Sequence, residues 1–138
     1  MMIRALTVFL AWGLMSASHA DTAVVGGDKV VFTQTSGQEI YEQVCASCHM
    51  IDGKGAQGAG IYPSLSQNPK LGAPAYVVFM VNQGNKGMPG FGGVLNDEQI
   101  AKVVNYVRSH LGNEFNDTVT AKEVAAQRPK EHQYFDLN

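Results

Sequence analysis

Cys45-Ala46-Ser47-Cys48-His49 decides how this chain reads, because five residues carry two thiols and an imidazole. Two cysteines three apart can each add across one vinyl group of a haem. The histidine that follows is then carried beneath the macrocycle, where a ring nitrogen can ligate the iron. Structural zinc would need four ligands, and the chain has no further cysteine. A thioredoxin-like pair opens a helix after a strand, whereas this pair follows a predicted helix. A plain disulfide leaves His49 without a role.

Toward the N-terminus, Ser36-Gly37-Gln38-Glu39 forms a capping-box pattern that predicts a helix from there to about Ala46. Ile40, Tyr41 and Val44 give that helix one apolar face. Asp21 to Thr35, with Gly26-Gly27 inside it, is expected to be an irregular arm. Further back, Arg4, the apolar run Ala5 to Met15 and the small-x-small triplet Ser18-His19-Ala20 predict a signal peptide cleaved after residue 20. The apolar run is shorter than the roughly 20 residues of a spanning helix, so export to a periplasm is expected, without stable membrane insertion. No cysteine follows the cleavage site to take a lipid.

The whole chain of 138 residues carries a formal charge of −2, and loss of Arg4 makes it one unit more acidic. Its charges are scattered. That excludes the basic stripe needed for nucleic acid and the basic amphipathic helix needed for an anionic membrane. A chain of this size supports one small domain with a modest core, which a buried haem would augment.

Toward the C-terminus, Ala46 to Gln67 holds Gly53, Gly55, Gly58 and Gly60 and predicts a functional loop around a bulky group. A second helix is predicted after Gly72, with Pro74 in its first turn and Gly84 at its end. Gln83 to Gly93 contains five glycines and Pro89, which exclude regular structure. A third helix is predicted from Asn96, capped with Gln99. Ile100, Val103, Val104, Val107 and Leu111 line its apolar face, Arg108 and His110 suit its negative end, and Gly112 stops it. Thr120 and Glu123 predict a short helix through Gln127, before a polar tail.

A second axial ligand must come from the other side of the ring. Met50 adjoins His49 and cannot reach round, and Met80 lies in an apolar helical pattern. Met88 stands in the glycine-rich loop with Pro89 behind it, which restricts its backbone and stiffens the turn. Its soft thioether suits iron. His110 and His132 are the rivals.

From about Ser36 to Gly112 the chain resembles the class I, monohaem bacterial c-type cytochromes, and is similar to small cytochromes that accompany periplasmic dehydrogenases. The resemblance implies an all-α cytochrome c fold, three main helices around one covalently bound haem c. It implies Cys45 and Cys48 as attachment residues and His49 with Met88 as axial ligands. Gly37 and Tyr41 match the residues by which the family's first helix crosses its last, and Tyr106 matches the aromatic opposite. Pro63-Ser64-Leu65 matches the segment whose proline carbonyl holds the proximal histidine, with Leu65 against the haem. Tyr62, Phe91 and Tyr106 are further expected packing residues. The acidic balance departs from lysine-ringed members. The expected domains are the signal 1–20, an arm 21–35, the cytochrome domain 36–112 and an extension 113–138.

A haem with both axial positions filled has no site for substrate, so one-electron transfer is expected rather than catalysis. Methionine ligation and burial predict a moderately high potential. Electrons would leave at the haem edge near Ala46, Met50, Gly58, Pro89, Gly90 and Phe91, through a compact apolar patch. The expected partners are a periplasmic flavin- or quinoprotein dehydrogenase, or a respiratory complex or oxidase, and the arms could wrap one of them. The alternative function is a gas-binding or sensor haem protein with a displaceable Met88.

Overall fold

A computed structural model describes residues 24–25, 30–58 and 60–128. The expected signal peptide, its cleavage site and His132 lie outside these residues. The first described element is a two-stranded antiparallel pair, β1 (Val24–Val25) and β2 (Val30–Val31), with Val24 opposite Val31. That pairing replaces part of the irregular arm expected there. Gln99 holds the segment that follows, donating its Nε2 to the carbonyls of Phe32 at 2.7 Å and Gln34 at 3.2 Å.

The first helical run starts at the predicted capping box. Ser36 Oγ accepts from Glu39 N at 3.1 Å, and the Glu39 carboxylate accepts from Ser36 N at 3.0 Å. These bonds hold the Glu39 carboxyl below its usual range, and the reach of its oxygen to the Thr35 N–H adds to them. α1 (Gly37–Ile40) passes through a π-helical turn at Tyr41–Cys45 into α2 (Ala46–His49). The run therefore reaches three residues beyond the end expected from the sequence. A widened turn of this kind re-aims the side chains that follow it and is found mostly at functional sites.

A small antiparallel pair, β3 (Ala56–Gln57) with β4 (Ile61–Tyr62), sits inside the loop that follows. A 3-10 turn at Pro69–Gly72 leads to α3 (Pro74–Gln83), with Pro74 at its first position. α4 (Asp97–Ser109) carries the second predicted capping box, Asn96 with Gln99, and α5 (Ala121–Ala126) carries the third, Thr120 with Glu123. The helical character agrees with expectation, and α5 is the short helix that Thr120 and Glu123 predict.

α4 is the spine of the core. Ile100, Val103, Val104 and Val107 are buried against Ile40 and Tyr41 from the first run, Val77 and Val78 from α3, and Val124 from α5. The first run crosses α4 where Gly37 lies on Lys102 and Tyr106: a Cβ at Gly37 would stand 2.2 Å from the Lys102 carbonyl oxygen. Two details of α4 differ from the sequence reading. The helix ends at Ser109, so Leu111 adopts φ 57° outside it, and Asn113 Nδ2 reaches back to the Val107 carbonyl at 2.8 Å. Arg108, expected at an exposed helix end, is fully buried. Its guanidinium donates to the Leu71 carbonyl at 2.8 Å and pairs with Asp117 of the extension, which satisfies it away from water.

Candidate haem site

Because the helical run continues through the motif, Cys45, Cys48 and His49 stand at i, i+3 and i+4 and share one face. Both cysteines are free and half-buried. Burial, followed by the neighbouring Cys48 sulfur, pushes the Cys45 thiol up to about 12, so it stays S–H at neutral pH. His49 is buried, and its Nδ1–H donates to the Pro63 carbonyl at 2.9 Å. A carbonyl only accepts, so this bond fixes the tautomer and leaves Nε2 with a free lone pair.

The loop from Asp52 to Ser66 is closed on that histidine by its own backbone. Gly55 N donates to the His49 carbonyl at 3.0 Å, and the Gly53 carbonyl accepts from Leu65 N at 2.7 Å and Ser66 N at 2.9 Å. Asn113, beyond α4, ties the same segment down through the Leu65 carbonyl at 2.8 Å. Leu65 packs against the core cluster, whereas Tyr62 is 44% exposed on β4. Tyr41, fully buried, donates its hydroxyl to the Met50 carbonyl at 2.6 Å, directly after His49. Burial raises its phenol to about 12, with smaller contributions from Cys45, Tyr106 and Asp52. The Tyr41 and Tyr106 rings lie 5.5 Å apart, which joins the motif to α4.

Met88 closes a tight turn of its own. Asn85 and Met88 exchange two backbone hydrogen bonds of 2.9 Å, and Met88 is half-buried. The loop leaves α3 at Gly84, in a conformation of φ 73° and ψ 177°, and returns with Phe91 N on the Val81 carbonyl at 2.8 Å. Pro89, Gly90 and Phe91 border an apolar cleft of ≈ 460 Å³ together with Phe32, Lys86, Gly87 and Val94. None of Cys45, Cys48, His49 or Met88 lines it. The rival His110 is exposed, stacked on Tyr106 at 4.6 Å, with Nδ1 at 3.0 Å from Ser109 Oγ.

These residues fit a covalently attached haem. Two unpaired thiols share a helical face with an imidazole whose ligating nitrogen is left free. Among the described residues no cluster of three or more His, Cys, Asp or Glu side chains could hold a bare metal ion, which argues against zinc. The carboxamide of Asn82, at the base of the Met88 loop, is buried with neither polar atom paired, as expected where a further group completes a site. Nothing in the sequence pattern singled out Asn82, and Arg108 was legible only as a helix-end cation. The nearest signal was a polar residue inside the apolar run of α3.

The chain has relatives among known proteins. The family described as cytochrome c oxidase, cbb3-type, subunit III matches residues 32–107. The cytochrome subunit of fructose dehydrogenase from Gluconobacter japonicus is 40% identical over 109 residues, which take in 68% of this chain and 22% of that protein. The cytochrome c subunit of gluconate 2-dehydrogenase from Pantoea cypripedii is 36% identical over 108 residues, 70% of this chain and 24% of that one. This chain thus spans less than a quarter of either subunit. Cytochrome c6 of Diacronema lutheri is 32% identical over 79 residues, 56% of this chain and 95% of its own length. Among solved structures, cytochrome c6C from Synechococcus sp. PCC 7002 aligns with a TM-score of 0.48 at 25% identity, over 55% of this chain and 94% of that one.

Proposed function

This chain belongs to the c-type cytochrome family of cbb3-type oxidase subunit III, and from that premise we propose that it is an exported one-electron carrier whose haem iron is held by His49 and Met88. Its cofactor is a covalently bound haem c, for which Cys45 and Cys48 are the attachment thiols, each adding S–H across one vinyl double bond. The bound haem supplies a ferric–ferrous couple. The Pro63 carbonyl orients the His49 ring and makes Nε2 more basic, which strengthens it as a ligand. Met88 presents a soft thioether from a turn closed by its own backbone, and that softness favours the ferrous state. The electron donor is a periplasmic flavin- or quinoprotein dehydrogenase or a respiratory complex, and the electrons pass on toward a terminal oxidase. The extent of the likeness to two dehydrogenase cytochrome subunits supports that choice. Docking uses the apolar surface around Pro89, Gly90 and Phe91.

The observation that carries this reading is the 2.9 Å bond from His49 to Pro63, because it fits the imidazole for ligation through one nitrogen. The experiment is Met88→Ala in the haem-loaded protein. Wild-type protein is expected to be low-spin, with a sulfur-to-iron charge-transfer band in the ferric state, and slow to bind carbon monoxide when reduced. The variant is expected to lose the band and bind carbon monoxide rapidly. An unchanged low-spin spectrum with the band intact would refute Met88 as ligand. Rapid carbon monoxide binding by the wild type at neutral pH would favour a ligand-binding role instead.

A further inference from the structure

Asn82 lies in the last turn of α3 and is 3% exposed, yet its Oδ1 and Nδ2 both lack partners. The loop that carries Met88 returns directly over it. Gly92 N donates to the Asn82 carbonyl at 3.2 Å, and a Cβ at Gly92 would meet Asn82 Oδ1 at 3.1 Å. A Cβ at Gly90 would stand 2.8 Å from the Asn82 carbonyl oxygen. The return strand is thus pressed onto this residue, with only glycine backbone between.

A buried amide without partners is destabilising, and an apolar side chain of similar volume would avoid that cost. We propose that Asn82 is a positioning residue for Met88: with the haem in place, its carboxamide NH₂ donates to the Met88 thioether sulfur. This rests on the reading of Met88 as axial ligand. A thioether has two lone pairs and is a weak acceptor, so one pair can bind iron while the other takes the N–H. Drawing density from the sulfur weakens its donation to ferric iron more than to ferrous, which raises the potential. The same bond holds the loop in its closed position.

The test compares haem-loaded wild type with Asn82→Leu and Asn82→Ser, alongside Met88→Ala. In both Asn82 variants the charge-transfer band is expected to persist with a shifted energy. Their redox equilibrium is expected to move about tenfold toward ferric, 59 mV for one electron. Asn82→Leu is expected to keep its thermal stability, because the N–H bond it loses is offset by removal of the buried Oδ1, which has no partner, and a merely structural asparagine would not combine that with a lowered potential. If the Asn82→Leu protein does not accumulate, Asn82→Ser carries the same expectation for band and potential. A change below about twofold in the equilibrium, with the band unmoved, overturns the proposal. A fall confined to the pH range above a carboxylate titration would assign the donor to a haem propionate, and overturns the sulfur contact. If the wild type has no charge-transfer band, or Met88→Ala retains it, the ligand reading itself has failed and the proposal fails with it.

Discussion

Replacing Gly84 by alanine should detach the Met88 loop while leaving the rest of the domain folded. Gly84 combines φ 73° with ψ 177°, a region that only glycine occupies readily, so a side chain there costs about 1–3 kcal/mol in backbone strain. Steric overlap adds to it. The new Cβ would lie 2.4 Å from the Met88 carbonyl oxygen, 2.5 Å from Gly90 N and 2.6 Å from the Pro89 carbonyl carbon. Ordinary contact begins at 3.4 Å, so the loop must withdraw by about 3.4 − 2.4 = 1.0 Å. A metal ligand tolerates about 0.2 Å of error in bond length, and the proposed iron–sulfur bond could not absorb five times that. The loop is fastened to α3 by backbone bonds at its ends. The cheaper response is therefore local opening. In haem-loaded Gly84→Ala the ferric charge-transfer band should be lost or much weakened and carbon monoxide binding accelerated. Local opening limits the loss of global stability to about 1 kcal/mol, so the thermal transition should fall by roughly 4–8 °C in a domain of this size. A variant with band, carbon monoxide kinetics and potential all unchanged would refute the reasoning.

Two further outcomes follow from groups buried around α4. Removing Asp117 should destabilise more than removing its partner. Asp117→Ala strands a fully buried guanidinium without a counter-charge, at roughly 3 kcal/mol, whereas Arg108→Leu leaves a carboxylate that is 62% exposed in water and takes the donor from two carbonyls, those of Leu71 and of Asp117 itself, at about 1–2 kcal/mol. Urea titrations of the two variants check the order, and the reverse order would refute it. In alkali, Tyr41 sets a window: its folded-state phenol is raised from 10.0 to about 12, so the stability it contributes is complete below pH 10 and is lost as pH rises through about 12. Tyr41→Phe should flatten that part of the stability curve, while giving up about 1 kcal/mol at neutral pH with its bond to the Met50 carbonyl. Parallel curves for wild type and variant above pH 10 would refute the assignment.

The parts of this fold that were legible in the sequence are those set by short-range chemistry. Ser36 with Glu39, Asn96 with Gln99 and Thr120 with Glu123 are all capping boxes in the structure, because each closes within four residues. Pro74 and Gly84 bracket α3 for similar local reasons. The support of His49 by Pro63 came from family resemblance, and the hydrogen bond between them is present. What escaped the sequence depends on partners far along the chain. Arg108 looks like a helix-end cation until Asp117 and the Leu71 carbonyl are brought to it. Leu111 continues the apolar period of α4 but leaves the helix, because Asn113 caps the Val107 carbonyl and Gln67 N takes the carbonyl of Leu111 itself. The π turn at Tyr41–Cys45 has no local residue signature, so the pattern places the helix end at about Ala46 rather than at His49.

The two sides of the site are held with unequal strength. Around His49 the bonds are redundant: Pro63 on the ring, Gly55 on its carbonyl, Tyr41 on the next residue, and Asn113 holding the Leu65 end of the loop. Those partners reach into α4 and the first helical run, so the proximal side opens only when the core does. The Met88 loop is fixed chiefly by its own turn and by backbone contact with the end of α3. Arg128, in the extension, donates to the Gly92 and Leu95 carbonyls and pairs with Asp97, bracing the segment just after the loop. A haem bonded through Cys45 and Cys48 would stay on the rigid side during any excursion of the loop, so loss of the methionine would be reversible. With Met88 as the proposed ligand, the strength of its contact would be set by a small number of residues, Gly84, Asn82 and Arg128, rather than by the global stability of the domain. Substitutions at those positions can therefore tune potential and ligand exchange while the attachment site and core remain as they are.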